Sequence, residues 1–305
     1  MWGTTYLAIK VGLEAELPAA LFAGLRSIPA GLILLGVARW RGASLAVTRG
    51  QFRVVTIVGI LLLCGGQYGT FVAEQHIASG LAALIVALLP LWIALAESAL
   101  PDMQRPGPLG WLGLAIGFAG LGILLFPKFV GVSAGVGVLV GIGTQIVATW
   151  LWSGGSIYSK RHPTRLDPLV NTGYQMLIAG AVLMTLGTAL GEWSQFTLTP
   201  KGFAALAYLT IFGSCVAFTA FTYALAHAPA SKVMTYAYVN PVIAVFAGWA
   251  AGRLGLVPPE PITPTMLLAM AVIVSGVAIA VAAPTRPARA AAGVEGEVEP
   301  VPSEV

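Results

Sequence analysis

Of the 305 residues, 57% are hydrophobic and 9% are charged, where an ordinary soluble domain has roughly 45–50% and 25%. Twelve acidic and sixteen basic side chains cannot cover a water-soluble globule of this length, and a mean hydropathy of +0.87 places the chain among integral membrane proteins. The net charge of +4 comes from basic residues scattered between apolar runs, with no dense patch to hold nucleic acid. Cys64 and Cys215, the two cysteines, lie within apolar runs and make no disulfide framework.

A helix needs about 20 mostly apolar residues to cross a hydrocarbon core roughly 30 Å thick. In chain order such runs cover residues 18–38, 53–77, 79–100, 108–126 and 133–158, then 168–190, 203–226, 231–252 and 265–283. A further apolar run, residues 2–13, reaches only about 18 Å at 1.5 Å per residue. Its shortness leads us to expect a first helix truncated at its N-terminus, with a chain extending upstream; an interfacial half-helix is the alternative. With a cytoplasmic N-terminus, the inside loops hold Arg39, Arg41, Arg49, Arg53, Arg105, Lys160, Arg161, Arg165, Lys232, Arg286 and Arg289. The outside loops hold only Lys128, Lys201 and Arg253, so the positive-inside rule puts both termini in the cytoplasm. Residues 284–305, rich in Ala, Pro and Glu, read as a disordered cytoplasmic tail.

The halves match at an offset of 150–151: Trp2 and Lys10 recur as Trp152 and Lys160, Pro18 as Pro168, and Cys64 as Cys215. His76 recurs as His227 and Pro90 as Pro241; Gly120 matches Gly276 once a longer loop at 257–264 is allowed. Five spans per half place the second upside down relative to the first. Inverted repeats belong to secondary transporters, with the binding site near the midplane between repeats. The expected domains are therefore a five-helix repeat at 1–126, a second at 133–283, and the tail.

The residues Trp2-Gly-Thr-Thr-Tyr, followed by Ile9-Lys10, resemble the first-helix motif of the drug/metabolite transporter superfamily, EamA type. Ala78-Ser-Gly-Leu-Ala-Ala and Pro90-Leu91 do so too. Ala73-Glu74-Gln75-His76, Phe212-Gly213-Ser214 and Tyr236-Ala-Tyr-Val-Asn-Pro241 are similar to its YedA-like subgroup of bacterial exporters. The resemblance runs from Trp2 to about residue 283. It implies an all-α membrane protein of ten helices in two inverted five-helix repeats, exporting small metabolites such as amino acids through the cell (inner) membrane. Two departures stand out: residues that normally precede Trp2 are absent, and Gly252-Arg253 stands where the family usually has Gly-Glu.

Pro90 and Pro241 fall at equivalent midplane positions, where each frees a carbonyl four residues back, Val86 or Ala237. Irregular backbone at that depth must be buried or line a watery cavity, so both are candidate helix-break or gating residues; packing kinks are the alternative. Asn240 and Tyr236, four apart, share a helix face beside Pro241, whereas the first half has Leu89 and Ile85 there. Arg26 lies too deep to snorkel easily and is a candidate for a substrate carboxylate or an internal ion pair. Glu74, with Gln67 below it on the same face, is placed for a proton relay or a substrate amine; an ion pair with Lys10 or Arg26 is the alternative. Lys10 is expected to snorkel outward and Glu97 to reach water; His76 and His227 sit at helix junctions. Trp92, Trp150, Trp152, Tyr174 and Trp249 are candidates to line a cavity or to pack helices.

These features lead us to expect a secondary transporter working by alternating access, with a small-molecule substrate, the lipid bilayer and protons as candidate partners. No Walker-type phosphate loop occurs, and three scattered histidines and two isolated cysteines make no metal cage, so no cofactor is expected. The competing readings are an integral-membrane enzyme, disfavoured because Asp102 and Asp167 lie in loops, and a channel or scaffold without alternating access.

Overall fold

The computed structural model describes residues 1–77, 79–129, 135–253 and 263–287. The expectations for the inter-half junction, the 257–264 loop and most of the tail fall largely outside them. The described chain is built of helices: α1 (Trp2–Glu14), α2 (Ala19–Trp40), α3 (Arg49–Glu74), α4 (Ser79–Val86), α5 (Leu89–Ala99) and α6 (Pro108–Phe129). Then follow α7 (Val136–Arg161), α8 (Pro168–Ala189), α9 (Pro200–His227), α10 (Ala230–Met234), α11 (Tyr236–Arg253) and α12 (Pro264–Ala282). Among the described residues, six helices are long and apolar enough to cross a membrane: α2, α3, α7, α8, α9 and α12.

Helix starts are written locally. Thr48 forms a capping box with Gln51 at the head of α3, which satisfies two otherwise orphaned groups. Asp167, Thr199 and Thr263 each accept a backbone N–H from the first turn of α8, α9 and α12. A proline follows each cap, fixing φ where no N–H is needed. The N-terminus of α2 is capped from a distance: Ala20 and Leu21 donate their N–H groups to the Glu192 carboxylate at 3.2 and 2.8 Å.

Two long helices change winding in mid-span. Residues Ile60–Gln67 of α3 and Leu209–Val216 of α9 are π-helical, starting 149 residues apart. Two expected continuous spans are interrupted. The run 79–100 divides into α4 and α5 just before Pro90, and the run 231–252 divides at Thr235 into α10 and α11. Pro90 therefore occupies the first turn of α5, where the missing N–H costs nothing, rather than the kinked interior of one long helix. Pro241 does lie inside α11.

Two antiparallel pairs, α2 with α8 and α6 with α12, make the most extensive helix contacts. The second pair meets backbone to backbone. A Cβ on Gly276 would come within 2.3 Å of the Gly117 nitrogen, and one on Gly113 within 2.8 Å of the Gly276 carbonyl oxygen. Small residues permit such approach where apolar burial alone gives helices no reason to associate. Tyr238 of α11 is buried beside this pair with Leu114, Leu121 and Ile273. A second core joins Tyr6, Leu62, Trp152, Met176, Phe218 and Phe221. Leu32, Leu112, Leu139, Phe203 and Leu268 point outward, as side chains facing lipid tails do.

The structure corrects two boundary expectations. Thr285 and Arg286, which composition assigns to a disordered tail, pair antiparallel with Pro106 and Arg105. Glu97, expected to reach water near its helix end, is 1% exposed. Helix α10 covers it, and the Ser231 N–H donates to its Oε1 at 3.3 Å.

Candidate functional site

A cavity opens where α1, α2, α3, α7 and α11 converge on the break between α4 and α5. Its empty space, part of it open solvent, is about 530 Å³. Helix α1 contributes Trp2, Thr5, Tyr6 and Ile9. Helix α7 contributes Gln145, Ala148, Thr149 and Trp152. Both sets follow the i, i+3, i+4, i+7 spacing of a single helix face. The π-helical stretch and next turn of α3 supply Gly66, Gln67 and Thr70, while Val86 and Leu89 flank the α4–α5 break. Arg26 enters from α2, and Tyr236 and Asn240 from the first turns of α11.

Arg26 is 1% exposed. Its Nε donates to Ser214 Oγ at 3.1 Å, and its guanidinium carbon lies 5.6 Å from the centroid of the Phe71 ring. Nη2 has no hydrogen-bond partner. Burying a charge this way is costly unless something pairs with it. Ser214 belongs to the π-helical stretch of α9, as does Gly213, whose carbonyl accepts the Trp2 indole N–H at 3.1 Å. Non-α winding within helices concentrates at functional sites, and here both π-helical stretches abut the cavity.

The remaining polar lining is mostly self-satisfied. Thr5 and Thr149 donate to carbonyls of their own helices, at 2.8 and 2.7 Å. Gln145 Nε2 donates to Thr70 Oγ1 at 3.2 Å. Gln145 Oε1, buried, has no partner. The Trp2 ring stands edge-on to Trp152 and to Tyr236, at centroid distances of 5.5 and 4.8 Å, forming an aromatic wall.

Of the residues singled out in the sequence, Arg26, Gln67, Tyr236 and Asn240 meet in this cavity; Glu74, Pro90 and Pro241 are not among its lining residues. Glu74 sits at the far end of α3, seven residues or nearly two turns beyond Gln67. The prolines act through the backbone: the lining comes from Val86, Leu89, Tyr236 and Asn240 around them. Among the five candidate aromatics only Trp152 lines the cavity. Trp150 is 54% exposed, Tyr174 donates to the Leu45 carbonyl at 2.9 Å, and Trp92 packs edge-on against Trp150. Sequence reasoning did not single out Gln145, Thr70 or Thr149; the 145-148-149-152 face was the available signal.

Comparison with known proteins agrees with the geometry. The model of the EamA-like transporter family matches residues 1–126 and 139–282. The chain is 33% identical over 280 residues to the uncharacterized inner membrane transporter YedA of Escherichia coli (strain K12), covering 92% of this chain and 86% of that protein. It is 26% identical to the uncharacterized transporter YvbV of Bacillus subtilis (strain 168), covering 92% and 87%. A WAT1-related chloroplastic protein of Arabidopsis thaliana is 27% identical, with 81% and 60% covered. A solved crystal structure shares the fold, with a TM-score of 0.71 at 22% identity over 92% of this chain and 94% of that one. With apolar helices long enough to cross a bilayer and matches over both halves, the chain is a membrane transporter of small molecules and belongs to the EamA-like transporter family.

Proposed function

We propose that the protein is a secondary transporter of the inner or plasma membrane. It exports small metabolites bearing an anionic group by alternating access between two inverted repeats of five helices each. The observation that carries this reading is Arg26: a guanidinium 1% exposed, with an unpartnered Nη2, at the wall of the cavity where both halves of the chain meet. In this reading a substrate anion supplies the missing partner, a charge-assisted contact stronger than a neutral hydrogen bond. Gln67, Tyr236 and Asn240 orient the rest of the molecule.

Alternating access draws support from four irregularities of the backbone. The π-helical stretches begin at Ile60 and Leu209, and the interruptions follow Val86 and Met234, with spacings of 149 and 148 residues. Matching weak points in both halves are what two repeats rocking about a shared site require. Both termini lie on the cytoplasmic side, a reading that the loop charges support, and the break before Pro90 and the Pro241 position serve as the bending points.

The test is efflux of labelled amino acids, hydroxy acids, sugars, nucleosides and a lipophilic cation from proteoliposomes, with and without a pH gradient. Saturable efflux of an anion-bearing class, lost in Arg26→Met, is expected. Efflux of neutral and cationic solutes alone, or Arg26→Met unchanged, overturns the role of Arg26. No saturable efflux of any class from folded protein overturns the transporter mechanism.

A further inference from the structure

The open hydrogen-bonding groups of the cavity also say what the rest of the substrate carries, and this step rests on the Arg26 reading above. Among the described lining residues Arg26 is the one charged side chain; no carboxylate lines the space. We infer that the cavity selects small monoanionic carboxylates with a neutral hydroxyl donor and an aromatic or apolar body, such as aryl 2-hydroxy acids, over zwitterionic amino acids.

Two atoms of the lining are buried without partners: Arg26 Nη2 and Gln145 Oε1. One donates and one accepts. A carboxylate satisfies the guanidinium and brings the site's net charge to zero. A hydroxyl on the neighbouring carbon can donate to Gln145 Oε1, which is fixed because Nε2 of the same amide is already committed to Thr70 Oγ1. An α-ammonium can donate there too, but it restores a positive charge inside the cavity, and the Glu74 carboxylate, whose field reaches Tyr6, is not among the lining residues. Buried charge without a partner is the costlier arrangement. The Trp2–Trp152–Tyr236 wall then takes a flat ring by the offset and edge contacts aromatic groups favour.

Four probes with the same ring separate these contributions: phenyllactate (monoanion with a hydroxyl), 3-phenylpropionate (monoanion), phenylalanine (zwitterion) and phenethylamine (cation). Each is measured by calorimetric binding to the full chain in detergent and by counterflow in proteoliposomes. Phenyllactate is expected to bind about tenfold tighter than phenylalanine, and phenethylamine not at all; tenfold corresponds to about 1.4 kcal/mol. Gln145→Leu should weaken phenyllactate roughly three- to tenfold, the loss of one neutral hydrogen bond, and weaken 3-phenylpropionate less. Gln145→Glu, which supplies the missing carboxylate at nearly the same shape, should reverse the order and favour phenylalanine. Phenylalanine binding as tightly as phenyllactate to the unaltered protein overturns the inference. If that phenylalanine binding is lost in Arg26→Met, the transporter reading survives and only the charge argument fails. If none of the four probes binds to folded protein, the Arg26 site itself fails, and this inference with it.

Discussion

Arg26→Met separates a residue kept for substrate from one kept for the fold. In the ligand-free protein, taking the guanidinium out of solvent costs several kcal/mol. Its visible compensation is one hydrogen bond to Ser214 Oγ at 3.1 Å and a ring contact with Phe71 at 5.6 Å. A hydrogen bond to a charged group returns about 1.5–3 kcal/mol, and a desolvated ring contact about 2 kcal/mol at best. The Phe71 distance is near the outer limit of that interaction, and Nη2 returns nothing. Methionine of similar length replaces a charge with a flexible apolar chain. Ser214 loses its donor, but a helical serine can turn its hydroxyl to a carbonyl of its own helix. Replacing incompletely compensated buried charge with apolar groups is neutral or stabilising by about 1–4 kcal/mol. The expected result is therefore a variant with unchanged or higher thermal midpoint in detergent, by ~2 °C or more per kcal/mol gained, and with no anion efflux. A structural ion-pair residue behaves oppositely. A midpoint lowered by several degrees, in protein that still transports, would refute the reasoning.

Other predictions follow from particular contacts. Gly276→Ala puts a methyl group about 2.3 Å from the Gly117 nitrogen; backbone cannot yield as a side-chain tip does, so α6 and α12 must separate, at a cost of roughly 1–3 kcal/mol read as a lower thermal midpoint. An unaltered midpoint would mean that the two helices do not cross this closely. Glu97→Ala strips the Ser231 N–H of its acceptor and should cost about 1–3 kcal/mol, whereas Glu97→Gln keeps an acceptor oxygen and should cost less; equal losses would deny the hydrogen bond its role. Glu74→Gln should abolish any response of efflux to a pH gradient while the protein stays folded, and a response that persists removes Glu74 from coupling.

The apolar spans were legible in the sequence because twenty-residue hydrophobic runs are the plainest of signals. Their interruptions were only half legible. Pro90 announces a break, but whether a chain bends through a proline or stops and restarts before it depends on what packs against the freed carbonyls. Glu97 misleads for a related reason. Distance from a helix end predicts access to water only when no other segment covers that end, and α10 does. The aromatic candidates show what periodicity can decide. Trp150 and Trp152 are two residues apart, so about 200° separates them around α7, and both cannot face one cavity. Extending the Trp152 face by i−3, i−4 and i−7 gives Thr149, Ala148 and Gln145, the very residues the structure brings to the site. Gln145 escaped notice because one amide in an apolar helix has no charge to flag it, although an intramembrane amide must find a partner too.

The unequal chemistry of the two halves follows from where their matching breaks fall. Around the first, Val86 and Leu89 offer only apolar surface; around the second, Tyr236 and Asn240 offer a phenol and an amide. A cavity that repeated its polar groups symmetrically would suit a symmetric ligand or a hydrated ion. This one sets a polar edge on α11 against an apolar edge at the α4–α5 break, with the Arg26 charge at its wall. Backbone flexibility needs only matched positions, so side chains at those positions are free to diverge toward the two ends of an amphipathic substrate. Exchanging the edges tests this division: Leu89→Asn with Asn240→Leu keeps the composition of the lining and should lower affinity for an aryl acid by more than either single change does. Affinity restored to that of the unaltered protein would mean that the cavity reads its polar groups without regard to which half supplies them.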